Sequence, residues 1–321
     1  MKILVTGGAG FIGSTLVPEL LKQGHQVTVL DNLTWGMHGL LADWGQPGFE
    51  FVEGDVRDEE LIERLLTGKD VVVHLAALVG CGLCEGNKEE AADVNVNGSK
   101  TIDHYLTDNQ LLIYASTGSI YGLTNEVASC TEKTAPNPKT QYAVTKYEAE
   151  KVFCKRPNVV TLRFATAFGV SYRMRFDLLV NQLVYEAVKK RVLLVYEKNA
   201  NRSVVHVRDI AQSILFAIAN RESMQGQIFN VGSDLALTKE EIAWQIQQHV
   251  GCPLQFAGSP VKDGKDYQLS CQKIMALGYH TSVTLEQGIT ELISTVNKAD
   301  IDGSCFNDKS AYNHLQWGVH G

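Results

Sequence analysis

A doubly wound α/β fold, with helices on both faces of a parallel sheet and a smaller C-terminal α/β unit behind it, is the architecture this sequence predicts. Three observations predict it. Strand-like and helix-like segments alternate through the first half of the chain. The strand-like segments are near-continuous apolar runs, as expected of strands buried on both faces. A glycine-rich turn joins the first strand to the first helix, where such folds take a phosphate.

In chain order, residues 2–7 (KILVTG) read as a buried strand and 12–23 as a helix ending before Gly24. A strand at 25–31 leads into a loop rich in Gly and Trp. Then come a strand at 49–55, a helix at 58–66 with Ile and Leu at helical spacing, a strand at 70–77, a helix at 88–107 and a strand at 110–116. A helix at 139–153 and a strand at 158–165 complete the alternation. Beyond about residue 170 the pattern loosens. Helices are expected at 176–190, at 209–220, from Thr238 with Glu241 completing a capping box, and at 284–297. The first unit is assigned residues 1–170 together with later segments at about 203–232, and the second is mainly 171–321. The tail at 304–321 carries no legible motif.

The 321 residues are 45% hydrophobic, enough for a large core. The net charge of −7 and the absence of a long Lys/Arg run argue against nucleic acid as a partner. The opening MKILVTGG has no basic stretch leading into an apolar one, and no run approaches the ~18 apolar residues of a membrane span. A cytoplasmic location without membrane attachment is therefore expected. Seven scattered cysteines fit a reducing compartment. Cys81 and Cys84 form a CxxC, but two further ligands at suitable spacing are not evident, so no metal is expected and the pair reads as two reduced thiols in a loop.

The turn TGGAGFIG supplies Gly7, Gly10 and Gly13. Glycines there permit a tight turn and close approach of a pyrophosphate to the backbone, and the helix N-terminus adds free N–H groups and a positive dipole end. Asp31 closes the second strand, where an acid accepts hydrogen bonds from the adenosine ribose. No Arg or Lys follows it in NLTWGMHG to neutralise a 2′-phosphate, so NAD is favoured over NADP. Tyr142 and Lys146 stand four apart on one helix face. A phenol is a poor base at its usual pKa of ~10. A neighbouring ammonium and a bound nicotinamide's positive charge favour the phenolate.

These strings, with Gly54-Asp55, HLAA (74–77), VNVNGS (94–99), STGSIYG (116–122), RFATAFG (163–169) and RSVVHVRD (202–209), resemble the extended short-chain dehydrogenase/reductase family. That family comprises NAD-dependent nucleotide-sugar epimerases, dehydratases and oxidoreductases, and the resemblance covers residues 1 to about 295. It implies a Rossmann sheet with a smaller C-terminal substrate domain, and a homodimer or higher homo-oligomer. Cofactor contacts are then expected from Gly7, Gly10, Phe11, Ile12, Gly13, Asp31, Asn32 and Asn95. Asp55 and Val56 are to flank the adenine, and Leu75, Ala76 and Ala77 to lie along the cofactor. Thr117 is to hydrogen-bond the reacting hydroxyl, Tyr142 to act as base and Lys146 to hold the nicotinamide ribose. Arg202 should face the phosphates of a GDP- or UDP-linked sugar. His74 and His206 read as structural or cofactor-lining.

Two departures carry information. Thr166, expected to contact the substrate, stands where many epimerases of the family have Asn. The two positions after Thr117, where 4,6-dehydratases carry an acid or acid pair, hold Gly118 and Ser119, so 4,6-dehydration is not expected. The strings around 74–80, 163–181 and 202–209 are most similar to a narrower GDP-D-glycero-D-manno-heptose 4-dehydrogenase branch, in which Arg173, Arg175 and Asn181 would reach the nucleotide diphosphate. The expectation is NAD-dependent oxidation at C4 of a nucleotide sugar. The ketone is either released, with NADH reoxidised by a 2-keto acid such as 2-oxoglutarate, or reduced again by a 4-epimerase. A sensor or scaffold that binds NAD without turnover is the rival from another class.

Overall fold

The structure, a computed structural model, describes residues 1–122, 129–233, 235–258 and 266–299. The motif-free tail at 304–321 lies outside the described residues. The strands are β1 (Lys2–Thr6), β2 (Gln26–Asp31), β3 (Phe49–Glu53), β4 (Val71–His74), β5 (Leu111–Thr117), β6 (Val159–Phe164), β7 (Thr166–Phe168), β8 (Leu193–Tyr196), β9 (Asn201–His206), β10 (Gln227–Val231), β11 (Ala236–Thr238) and β12 (Leu254–Ala257). The helices are α1 (Gly13–Lys22), α2 (Glu59–Leu66), α3 (Cys81–Gly86), α4 (Lys88–Ala92), α5 (Gly98–Tyr105), α6 (Gln141–Phe153), α7 (Leu179–Tyr185), α8 (Val207–Ala219), α9 (Arg221–Met224), α10 (Lys239–Val250), α11 (Gln272–Met275) and α12 (Leu285–Lys298).

Seven strands pair in parallel in the order β10-β6-β5-β4-β1-β2-β3. The apolar runs are continuous because each strand is covered twice. In β1, Ile3 and Val5 point to the face packed by Leu16 and Leu20 of α1 and Ile210 and Ile214 of α8. Leu4 points to the other face, with Ile62 of α2, Ile102 of α5 and Phe153 of α6. The strand order reverses between β1 and β4, and the crevice beyond the strand ends at that point is where such sheets take ligands.

The remaining strands are short. β9 pairs parallel with β7 and antiparallel with β11, and β8 pairs parallel with β12. Around them α7, α10 and α12 enclose a second core that includes Phe168, Phe176, Val184, Ile246 and Leu292. The capping box at Thr238 and Glu241 forms, and Thr284 and Gln287 make another at the start of α12. Among the described residues no helix is long and apolar enough to cross a membrane.

Three local expectations are corrected. The helix expected at 88–107 is interrupted by a π turn at Asp93–Asn97. The helix expected from 176 begins only at Leu179, because Asp177 is drawn into an ion pair with Arg175 and the Arg175 carbonyl accepts a hydrogen bond from Asn181. The CxxC lies in a short helix, α3, rather than a loop, entered through Gly80 at φ 106°.

After β7 the chain returns to the first unit and lies across the first turn of α1. The Ser171 hydroxyl donates to the Phe11 carbonyl at 2.6 Å and lies 2.9 Å from the Ser14 hydroxyl. The Arg173 N–H donates to Ser14 Oγ at 3.2 Å. These contacts tie the segment after β7 to the start of α1 beside the glycine turn.

Candidate active site

Thr117 ends β5, and a 3-10 turn at Gly118–Tyr121 follows. Its hydroxyl accepts the Ser119 N–H at 3.1 Å and lies close enough to the Tyr142 phenol to favour its ionised form. Tyr142 is presented by the first turn of α6, which Thr140 caps by accepting the Ala143 N–H at 3.2 Å. Burial pushes the Tyr142 phenol well above its ordinary range, and the nearby Thr117 hydroxyl opposes this. One turn later, burial lowers Lys146 to about 7, against the pull of the Glu150 carboxylate. Its ammonium lies 4.3 Å from the centroid of the Tyr114 ring.

Behind these groups is a buried polar network. Glu150 accepts from Ser116 at 2.6 Å and pairs with Arg163. Arg163 donates to Tyr121 Oη at 2.8 Å, and Tyr121 donates to Asn230 Oδ1 at 2.8 Å. β5, β6, β10 and α6 are thereby locked together, which fixes the floor under Thr117 and Tyr142.

A cleft of about 970 Å³ runs from the glycine turn past Tyr142 to Arg202 and Lys239. Gly7 has φ 73°, and a Cβ on it would lie 2.6 Å from the Ala76 nitrogen. A Cβ on Gly13 would lie 2.5 Å from the Gly7 carbonyl oxygen. The turn therefore packs directly against α1 and leaves its N-terminus open to the cleft, together with Gly10, Phe11 and Ile12. Asp31 accepts from the Ala9 and Leu33 N–H groups, each at 2.9 Å. Burial raises its pKa, and these hydrogen bonds and the charge of Arg173 oppose the rise. Asn32 donates to Asp55 at 3.0 Å, and Arg57 grips the same carboxylate with Nε at 2.8 Å and Nη2 at 2.9 Å. Burial alone would raise Asp55, but these hydrogen bonds outweigh it and hold the group below the usual carboxylate range. Val56, Leu75, Ala76 and Ala77 form apolar walls. An open helix N-terminus, a carboxylate at the β2 end and an apolar slot fit an adenine dinucleotide.

Asn95 departs from its expected contact with the cofactor. Its amide is spent on both backbone groups of Leu78, at 2.7 and 3.0 Å, and on Thr145 Oγ1 at 3.0 Å. It ties the 75–78 loop to α6. His74 lies 2.7 Å from Thr6 Oγ1 and 3.2 Å from Ser99 Oγ, and burial lowers its pKa to about 3. His206 accepts the Arg208 N–H at 3.2 Å as the cap of α8. Both histidines are held by structural contacts.

The residues expected at the nucleotide-sugar substrate disperse. Thr166 and Arg202 line the cleft, with Arg202 donating to the Asn201 carbonyl at 2.7 Å. Arg175 grips Asp177 near Gly80, and its charge reaches Tyr142. Arg173 lies 5.0 Å from the centroid of the Trp35 ring, and its charge reaches Asp31. Asn181 is fully buried and bonds both backbone groups of Gly169, at 2.9 and 3.1 Å, so it shapes the 169–175 segment instead of facing the cleft. Other cleft residues escaped sequence reasoning: Trp35, Ser119, Asp177, Tyr196, Lys239 and Tyr267. Lys239 carried a faint signal, being a cation at the first position of a capped helix, where a basic residue opposes the dipole. It lies 3.2 Å from Glu197. Cys81 also lines the cleft. Cys84 is buried, donates to the Leu78 carbonyl at 3.4 Å and has its thiol pKa pushed up to about 12 by burial.

Residues 3–232 match the model of the NAD dependent epimerase/dehydratase family. The chain belongs to this family. Its NAD dependence agrees with the fit of the glycine turn, Asp31 and the apolar slot, and NAD is the cofactor. The low-salt glycan biosynthesis protein Agl12 of Haloferax volcanii is 30% identical over 301 residues, which are 90% of this chain and 96% of that protein. The UDP-glucose 4-epimerase of Thermus thermophilus, solved in complex with NAD, is 27% identical with a TM-score of 0.80, covering 94% of this chain and 100% of its own. The dTDP-glucose 4,6-dehydratase DesIV of Streptomyces venezuelae, solved with NAD and TYD bound, is 28% identical with a TM-score of 0.81, covering 92% and 96%. This epimerase/dehydratase family member is an enzyme of the nucleotide-sugar class, and its Thr117, Tyr142 and Lys146 share one end of the cleft.

Proposed function

We propose that this enzyme oxidises C4 of a GDP- or UDP-linked sugar without eliminating water, as a 4-dehydrogenase whose NADH is reoxidised by a 2-keto acid such as 2-oxoglutarate. The carrying observation is that Thr117, Tyr142 and Lys146 line one cleft at a site whose neighbouring position is closed to an acid. A Cβ on Gly118 would lie 2.9 Å from Tyr267 Cε2 and 3.0 Å from Leu269 Cδ1. Ser119 Oγ lies 3.5 Å from the Tyr267 hydroxyl.

In this reading Thr117 orients the C4 hydroxyl and Tyr142 takes its proton. Bound NAD supplies the acceptor for the C4 hydride. Lys146 in its charged form favours the Tyr142 phenolate at the moment of transfer. Arg202 and Lys239, which also line the cleft, provide positive charge for the nucleotide diphosphate. Loss of the C6 hydroxyl would need a positioned acid, and Gly118 and Ser119 supply none. Asp177, the acid in the cleft near Gly80, is ion-paired with Arg175.

The string RFATAFGVSYRMRFDLLVN supports the dehydrogenase outcome by its resemblance to the narrower branch. The likeness to the Thermus 4-epimerase supports a second reading, in which the ketone takes hydride back on its other face. Mass spectrometry of products from GDP- and UDP-sugars, with and without 2-oxoglutarate, tests both. A 4-keto sugar that accumulates only with the keto acid supports the dehydrogenase. A 4-epimer formed without it supports the epimerase. A product lighter by one water overturns the C4-only chemistry.

A further inference from the structure

Arg173 comes from the segment that crosses α1, beside the glycine turn and within reach of Asp31 at the end of β2. Its main-chain N–H is fixed to Ser14, in the first turn of the helix that faces the dinucleotide phosphates. Its guanidinium carbon is 5.0 Å from the centroid of the Trp35 ring, in the loop that follows β2. Its Cβ is 3.1 Å from where a Cβ on Gly39 would sit, so a side chain at position 39 would crowd it. It is buried and lines the cleft. Arg175, two residues on, faces Gly80 and Asp177 at the catalytic end.

We infer that Arg173 is a cofactor-binding residue: its guanidinium donates to a diphosphate or ribose oxygen of the adenosine half of NAD, not to the diphosphate of the nucleotide sugar. The planar guanidinium carries five donors in a fixed fork. Stacking on Trp35 and the Nη1 hydrogen bond to the Met174 carbonyl, at 3.1 Å, hold that fork in place before the ligand arrives. The charge is also felt at Asp31, where it opposes the effect of burial. Residues 32–39 contain no Arg or Lys, so the cation at this end of the groove comes from a distant, downstream segment of the chain.

Calorimetric titration of the nucleotide-stripped protein with ADP-ribose, UDP and GDP separates the two placements, because ADP-ribose carries only the adenosine half of the cofactor. Arg173→Ala is expected to weaken ADP-ribose by roughly 10- to 100-fold, the worth of a charge-assisted hydrogen bond. UDP and GDP should stay within about twofold. Arg173→Lys keeps the cation but loses the fork and is expected to weaken ADP-ribose by roughly 3- to 10-fold. Should the Ala variant fail to fold, the Lys variant decides by the same comparison. Unchanged ADP-ribose affinity, or a larger loss for UDP or GDP than for ADP-ribose, overturns the inference.

Discussion

Lys146 and Tyr114 are joined twice. The ammonium lies 4.3 Å from the Tyr114 ring centroid, and the Tyr114 hydroxyl donates to the Lys146 carbonyl at 3.0 Å. Tyr114 thus serves both the backbone and the charge of the lysine one turn after Tyr142, the proposed base. The ring face compensates only part of the hydration lost on burial, which is why Lys146 is lowered to about 7.

A pH-dependent stability follows from that lysine. Its folded value lies below its ordinary 10.5, so between about 7 and 10.5 the unfolded chain binds a proton that the folded protein does not. Stability from this group therefore rises with pH across the window, and the penalty is complete below about 7. In cofactor-free protein, the urea midpoint of wild type minus that of Lys146→Met should increase from pH 7 to pH 10. A flat difference would remove Lys146 as the source.

Tyr142→Phe should lower turnover by roughly 10²–10⁴, the usual worth of a general base, while NAD affinity stays within a few-fold. Steady-state kinetics beside a calorimetric titration checks both. Near-wild-type turnover would take Tyr142 out of the proton transfer.

Gly118→Ala should destabilise the fold by about 1–3 kcal/mol, since its methyl meets Tyr267 and Leu269. Gly118→Asp should be worse and should still yield no product lighter by one water. Urea unfolding measures the first and mass spectrometry the second. A dehydrated product from the Asp variant would mean that this wall yields.

Much of the site could be read from the sequence because its signals are local. Gly7, Gly10 and Gly13 sit between a strand and a helix, and Tyr142 and Lys146 share a helix face. Thr117 follows an apolar strand. Each relation spans a few residues, so spacing alone places it. The arginines at 173 and 175 are adjacent by the same measure, yet they make different contacts, Arg173 with Trp35 and Arg175 with Asp177. Their fates depend on where the segment after β7 crosses α1, which the Ser171 and Ser14 contacts decide. Asn95 and Asn181 mislead for another reason. An amide looks the same in sequence whether it meets a ligand or buried backbone groups, and here both satisfy backbone. The three-residue strands β7 and β11 are too short to show a period.

Cofactor choice provides a further test. Asp31 should make NAD bind at least about tenfold tighter than NADP, because a 2′-phosphate would meet its carboxylate. Asp31→Asn should narrow that gap with Arg173 present, and Asp31→Asn with Arg173→Ala should narrow it less. Titrations of the three proteins with both dinucleotides decide. NADP binding as tightly as NAD in the wild type would refute the role given to Asp31.

The strand order has a consequence for synthesis. β10 pairs beside β6 but leaves the ribosome 67 residues after Phe164, once Val231 has been added. At roughly 5–20 residues per second, the nascent chain carries an open parallel edge for roughly 3–13 s. That edge is apolar on one face, through Val160, Leu162 and Phe164, while the other carries Val159, Thr161 and Arg163, and an unpaired edge of this kind invites strands from other chains. Chaperone demand during translation should therefore peak between the emergence of β6 and that of β10, and fragments ending between them should aggregate.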